Sequence, residues 1–146
     1  MKVLLQRVTT ASVRIASLEI ARIEYGLLLL TGFGLGDEID RLEPMAAKLI
    51  NMRIFSDERG KMNRSLREID GDVLIVPQFT LYADTSRGRR PEFSRAMAPH
   101  QAREMFAHFT ECFRETGIRN VQCGKFGEHM SVCLENDGPV TIMLDE

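Results

Sequence analysis

The sequence predicts a mixed α/β domain in which β-sheets pack against two main helices. Three observations carry this. Ala102, Met105, Phe106, Phe109, Cys112 and Phe113 recur at i, i+3, i+4, i+7 spacing, one apolar helical stripe. Leu42, Met45, Ala46, Leu49 and Ile50 form a second stripe. Strand-like apolar runs surround them, "GLLLLTGFG" from Gly26 and "DVLIV" from Asp72, too short for helices of their own. At 146 residues the chain fits one domain, spanning 1–146.

The elements follow in order. Residues 2–9 and 12–17 read as two strands, with Val13 and Ile15 alternating against Ser12 and Arg14. Residues 19–25 suggest a third strand, and Gly26 to Gly34 one covered on both faces. A helical segment runs from Asp37 to Arg53, its helix proper from about Glu43. Pro44 is expected at the first position, where a missing N–H costs nothing. "FSDERGKMNRS", Phe55 to Ser65, reads as a loop. The strand from Asp72 is expected to end, bulge or lie at an edge at Pro77, which cannot donate to a ladder. Thr85 to Ala96 has no period and reads as a loop. The second helix opens at Pro99 and stops at Gly117. Short strands are expected at 119–123, 129–135 and 140–144, the last two joined by a turn at Asn136-Asp137-Gly138-Pro139.

Composition excludes several classes. The longest apolar run, Leu27 to Leu30, cannot span a bilayer, and a charge arrives too early in the chain for a signal peptide. A cytoplasmic location with no membrane association is the expectation. Cys112, Cys123 and Cys133 form no CxxC and are odd in number, so they read as buried reduced thiols. His100, His108 and His129 lack ligand spacing, so neither a metal site nor a cofactor is expected. A net charge of −2 argues against a general nucleic-acid coater, though not against a local basic patch. There is no GxSxG elbow, P-loop or dinucleotide fingerprint, and "GFGLGD" has the character of a strand-to-helix turn.

Four places hold possible chemistry. A strand that breaks at Pro77 leaves the amides of Gln78, Phe79 and Thr80 free, and adjacent free amides are the raw material of an oxyanion hole. Thr80 is also a possible nucleophile, but no histidine lies near it in sequence to act as base. "NDGPVT" is either a hairpin turn or a loop presenting a Gly-Pro bond, which can be cis. Arg87, Arg89, Arg90 and Arg95 make a basic loop suited to phosphate, in which Phe93 could stack on a base; the alternative is a solvated loop. Arg7 is a long cation inside a strand-like segment, ordinarily a solvent-facing position.

Taken together, these segments resemble the D-aminoacyl-tRNA deacylases. The similarity covers essentially the whole chain, through "QRVTTASV", "RIFSDERGKMN", "QFTLYADTSRGRRPEFSRA" and "GKFGEHMSVCLENDGPVT" in that order. The family carries a Ser-Gln-Phe-Thr-Leu segment and an Asn-x-Gly-Pro-x-Thr segment. The second is intact here at Asn136, Gly138, Pro139 and Thr141. The first has Pro77 in place of serine, followed by Gln78, Phe79, Thr80 and Leu81. A serine hydroxyl essential to the chemistry would be lost; a site built on backbone amides tolerates the proline. Ser17-Leu18 also lacks the glycine usual at that turn.

The resemblance implies mixed sheets in a barrel-like arrangement with two helices, assembled as a homodimer. It implies hydrolysis of the ester of D-aminoacyl-tRNA, and glycyl-tRNA besides, as chiral proofreading in translation. Phe79 and Thr80 would supply the oxyanion amides, and Gln78 would shape their loop. Gly138 and Pro139, cis and inserted into the partner's site, would meet the substrate amino group with their carbonyls and exclude L-amino acids. Asn136, Phe126 and Met130 match substrate-side positions, the latter two near the terminal adenosine. Arg7 would hold the Gly-Pro loop from behind. Arg87, Arg89 and Arg90 are candidates for the acceptor stem. Water assisted by the ribose 2′-hydroxyl would be the attacking group, which fits the missing general base.

Overall fold

The computed structural model describes residues 1–146. Its spine is β1, Lys2–Ile15, one 14-residue strand where two were expected. The first half pairs antiparallel with β3, Gly26–Gly32, and the second with β2, Leu18–Ile23. The last strand, β8, Ser131–Asp145, runs antiparallel along the whole other edge of β1. β8 bridges the expected break at residues 10–11: β3 pairs only as far as Val8 and β2 only from Ala11, while Thr10 and Ala11 lie opposite Glu135 and Leu134 of β8. The 16–17 turn, lacking the usual glycine, puts Ala16 in the left-handed region at φ 53°.

The remaining strands lie on the β3 side. β6, Asp72–Pro77, joins β3 in parallel, and β7, Val121–Cys123, joins β6 in parallel. The resulting order is β2-β1-β3-β6-β7, with β8 on β1, a nearly closed barrel-like sheet. The expected 55–65 loop holds a minimal hairpin, β4, Phe55–Ser56, and β5, Met62–Arg64. Asp57 Oδ1 shapes its turn by accepting the Arg59 and Lys61 amides, each at 2.9 Å.

Both helices bury the stripes their periodicity marks, except that Cys112 is only half-buried. Helix α1, Leu42–Asn51, buries Leu42, Met45, Ala46, Leu49 and Ile50. It begins after a 3-10 turn at Ile39–Arg41, so Pro44 stands third rather than first. That position is still within the first turn, whose amides have no intrahelical acceptor. Helix α2, Pro99–Glu115, has its proline at the first position, and Gly117 beyond its end takes φ 80°.

The sheet divides the interior in two. On the helix side, Val3, Leu5, Leu27, Leu29, Val73 and Ile75 meet Met45, Leu49, Phe106 and Phe109. On the other side, Val8, Ala11, Val13, Leu28, Leu74 and Val76 form a smaller core. Val8 and Ala11 share a face although three residues apart, so β1 slips phase between them. The pairing with β8 is irregular between Gln6 and Val8 and again before Thr10. Arg7 sits at the first of these irregularities. The expected burial of the cysteines does not hold: all are unpaired, Cys112 and Cys123 half-buried and Cys133 exposed on β8. No helix is long and apolar enough to cross a membrane.

Candidate active site

The Asn136–Thr141 segment is not a hairpin turn. Both flanks belong to β8 and pair with the same strand: Asn136 lies opposite Val8, and Thr141 opposite Gln6. Only Arg7 separates those two positions on β1, whereas Asp137, Gly138, Pro139 and Val140 separate them on β8. Four residues against one must leave the ladder as a wide bulge. Turn residues marked the interruption correctly, but only the shared partner strand distinguishes a bulge from a hairpin.

Side chains fix the bulge from several directions. Asn136 bridges its neck: Nδ2 donates to Val140 O at 3.2 Å, Thr141 Oγ1 at 3.1 Å and Gln6 Oε1 at 3.1 Å, while Oδ1 accepts Val140 N at 2.8 Å. The expected substrate-side residue thus has its amide engaged inside the chain. Arg7 is 6% exposed, not solvent-facing. Its Nε donates to Asp137 O at 3.1 Å and lies 2.9 Å from Asp137 Oδ2, and Nη1 donates to Ile54 O. A buried guanidinium is tolerable because these acceptors and one carboxylate replace its water. The Gly138–Pro139 peptide is cis, and Gly138 takes φ 130°. A Cβ at Gly138 would come within 3.0 Å of Arg7 Nη2 and 2.9 Å of Val140 Cγ2.

The second motif lies at the end of β6. Gln78 N donates to Thr31 O at 2.7 Å, continuing the β3 ladder by one bond. The expectation that this amide is free is therefore corrected. Since successive amides alternate sides, the N–H that Pro77 lacks would face β7, which has already ended at Cys123 opposite Ile75. The chain then enters a 3-10 turn, Phe79–Tyr82. The Phe79 and Thr80 amides, in its first two positions, donate to no acceptor in the chain. Both residues are exposed. Gln78 Nε2 donates to Thr80 Oγ1, a contact that cannot take the hydroxyl proton. No carboxylate or imidazole bonds to Thr80, so nothing activates it as a nucleophile.

Aromatic and sulfur groups flank this turn. Phe79, 56% exposed, meets the Phe93 ring edge-on at 4.9 Å between centroids. Gly124 N donates to Ile75 O at 2.8 Å, which brings the segment after β7 beside the end of β6. The space a Gly124 Cβ would need is bounded by Met130 Sδ at 3.0 Å and Pro77 Cδ at 3.3 Å. Met130 thus lies next to the QFTL turn. Phe126 packs against Phe106 of α2 at 6.2 Å, with the Arg103 guanidinium 5.2 Å from its ring centre. At the far end of the turn the Tyr82 phenol donates to Asp37 at 3.3 Å; burial, then the Asp37 charge, push its pKa up. A cavity of about 390 Å³ opens beyond Tyr82, lined by Lys2, Asp84, Ser86 and Arg95 but not by Phe79 or Thr80. The free amides therefore lie outside this cavity, on an exposed turn.

The sequence matches the D-Tyr-tRNA(Tyr) deacylase family over residues 4–145. The chain belongs to that family. It is 46% identical over 145 residues to the D-aminoacyl-tRNA deacylase of Thermosipho melanesiensis, covering 99% of this chain and 97% of that one. Identity to the D-aminoacyl-tRNA deacylase of Thermomicrobium roseum is 50% over 145 residues, 99% of this chain and 94% of that one. Among solved structures, one titled c-Myc DNA unwinding element binding protein superimposes with a TM-score of 0.94 at 40% identity, covering 100% of this chain and 99% of its own. A probable eukaryotic D-amino acid tRNA deacylase shares the fold, with a TM-score of 0.89 at 20% identity over 99% and 98% of the two chains.

Within this deacylase-family chain the two motifs stand apart. Arg7, behind the bulge, is opposite Leu27 on β3, and Pro77 is opposite Thr31, four residues further along. At roughly 3.3 Å per residue the separation along the strand is about 13 Å. No hydrogen bond or ion pair joins the bulge to the Phe79–Thr80 turn. Arg87, Arg89 and Arg90 are all exposed and form no ion pair, on a loop closed at its base by Asp84 and Glu92. Sequence reasoning missed Tyr25, whose hydroxyl reaches Asp137 Oδ2 at 3.3 Å, and the Ile54 carbonyl beneath Arg7. Neither contact has a local signal, since each spans tens of residues of chain.

Proposed function

We propose that this protein hydrolyses the ester linking a D-amino acid to tRNA, and glycyl-tRNA as well, as a proofreading enzyme of the cytoplasm. The pair of unpartnered amides at Phe79 and Thr80, exposed and adjacent with no nucleophile–base pair beside them, carries the reading. Such donors stabilise the charge that develops on the ester carbonyl oxygen during attack. Water adds to the carbonyl carbon, the bond to the ribose oxygen breaks, and the proton from water passes to that oxygen. The neighbouring 2′-hydroxyl of the tRNA assists the transfer. Pro77 is compatible with this scheme because it lacks a side-chain hydroxyl and an N–H that would face past the end of β7, while the Phe79 and Thr80 amides remain.

The protein acts as a homodimer in this reading. The bulge of one subunit enters the site of the other, which accounts for two rigid motifs that no contact within the chain unites. The Gly138 and Pro139 carbonyls accept from the substrate ammonium group, leaving room for hydrogen where an L side chain would project. Phe126 and Met130 border the terminal adenosine, and the unpaired arginines at 87, 89 and 90 meet acceptor-stem phosphates.

Deacylation of matched D- and L-aminoacyl-tRNAs tests the activity and its chirality together. Turnover of the D form with the L form spared is expected. Intact D-aminoacyl-tRNA at catalytic protein levels, with binding retained, would instead identify a non-catalytic binder of tRNA ends. Equal cleavage of free D-amino acid esters would indicate a small-molecule esterase.

A further inference from the structure

We propose that Tyr25 is a positioning residue for the Gly138–Pro139 bulge, acting through the Asp137 carboxylate; its consequence for catalysis rests on the deacylase reading above. Asp137 directly precedes Gly138, so any rotation of its backbone passes into the bulge. Its Oδ2 is approached from two directions, by Arg7 Nε at 2.9 Å and by the Tyr25 hydroxyl at 3.3 Å. Arg7 comes from β1 beneath the bulge, whereas Tyr25 comes from the turn between β2 and β3. One donor leaves the carboxylate free to pivot about the contact. A second donor from another element removes that freedom.

Tyr25 is itself held firmly enough to serve. Its carbonyl accepts Asp72 N at 3.0 Å, and the neighbouring Glu24 N donates to Asp72 Oδ2 at 3.0 Å. Both bonds tie the turn to the start of β6. The ring stands edge-on to Phe55, centroids 5.4 Å apart at 76°, and Phe55 is 0% exposed. Phe55 adjoins Ile54, whose carbonyl accepts from Arg7. The Ile54–Phe55 step therefore seats both donors of Asp137, one through its carbonyl and one through its ring. Space-filling alone would be met by phenylalanine; the hydroxyl is the part that reaches the carboxylate.

Tyr25→Phe isolates that hydroxyl, because the ring and its packing on Phe55 remain. The D-to-L ratio of kcat/KM on aminoacyl-tRNA should fall roughly three- to tenfold, the span of an ordinary single hydrogen bond, since the 3.3 Å contact is long and exposed. The melting temperature should stay close to that of the unaltered protein. In an Asp137→Ala background the same substitution should change nothing further. A purely structural tyrosine would leave the ratio unmoved, or would lower it equally in both backgrounds, and either result overturns the proposal. Hydrogen exchange of the Val140 amide, which closes the bulge on Asn136 Oδ1, gives a readout independent of activity. It should quicken roughly three- to tenfold in Tyr25→Phe by the same reasoning; an unchanged rate refutes the positioning role. If the unaltered protein cleaves no D-aminoacyl-tRNA, the deacylase reading fails, while the exchange experiment still decides what Tyr25 does.

Discussion

Arg7 and Asp137 are joined twice by one guanidinium nitrogen: Arg7 Nε faces the Asp137 carbonyl at 3.1 Å and its Oδ2 at 2.9 Å. The residues lie 130 positions apart, at opposite ends of the chain. Arg7 is also the sole β1 residue between the two pairing positions that bracket the bulge. Arg7→Lys keeps the charge but not the fork that serves Ile54 O and Asp137 at once. One buried acceptor is then left unpaired, a loss of about 1–3 kcal/mol. Urea unfolding should show a lower midpoint, and D-aminoacyl-tRNA hydrolysis should fall with it.

Gly138→Ala should damage the bulge more than its single methyl suggests. The residue takes φ 130°, and a Cβ would sit 3.0 Å from Arg7 Nη2 and 3.1 Å from Val140 N. The loss of stability should exceed about 1 kcal/mol, since the backbone angle itself disfavours alanine. Thermal melting measures it, and the D-to-L selectivity should weaken in the same variant.

Thr80→Ala should leave hydrolysis within a few-fold of normal, because the backbone amide survives. Single-turnover deacylation reads this directly. A complete loss of the chemical step would restore the hydroxyl as nucleophile and remove the amide mechanism.

The arginine loop should reveal itself through salt. Replacing Arg87, Arg89 and Arg90 with alanine should weaken tRNA binding for every amino acid alike. The slope of log affinity against log salt should become shallower by about one for each arginine that neutralises a phosphate. Filter binding over a range of potassium chloride measures it.

The two tyrosines, in a chain with no tryptophan, offer a clean alkaline titration at the tyrosinate absorbance. Both phenols are raised, Tyr25 by burial and then the Asp137 charge, and Tyr82 by burial and then Asp37. Neither should ionise at the ordinary value near 10 while the protein is folded. The folded state thus holds these protons more tightly than the unfolded one. The stability this contributes is complete below about pH 10 and is lost as pH rises through the folded values. Tyr25→Phe should remove one of the two steps.

The helices were legible because their information is local. A period of 3.6 residues places Ala102, Met105, Phe106, Phe109 and Phe113 on one face whatever else the chain does, and Pro99 and Gly117 bound the segment by their own backbone limits. The end of β6 was legible for the same reason, since Pro77 lacks an N–H in any setting. What the residue types could not say is where each amide finds a partner. Gln78 N was expected free and is taken by Thr31 O, a choice made by the parallel register of β3 and β6.

On its own, the sequence determined two apolar helix faces, the break at Pro77, an interruption at Asn136–Pro139 and, through its motifs, the family. The tertiary structure alone decided that β1 is one strand, that the interruption is a bulge opposite Arg7, and that Tyr25 meets Asp137 across 112 residues. The physical reason is range. Helical periods and proline geometry act within a few residues, whereas a ladder's register and a buried cation's partners exist only once distant segments share a sheet.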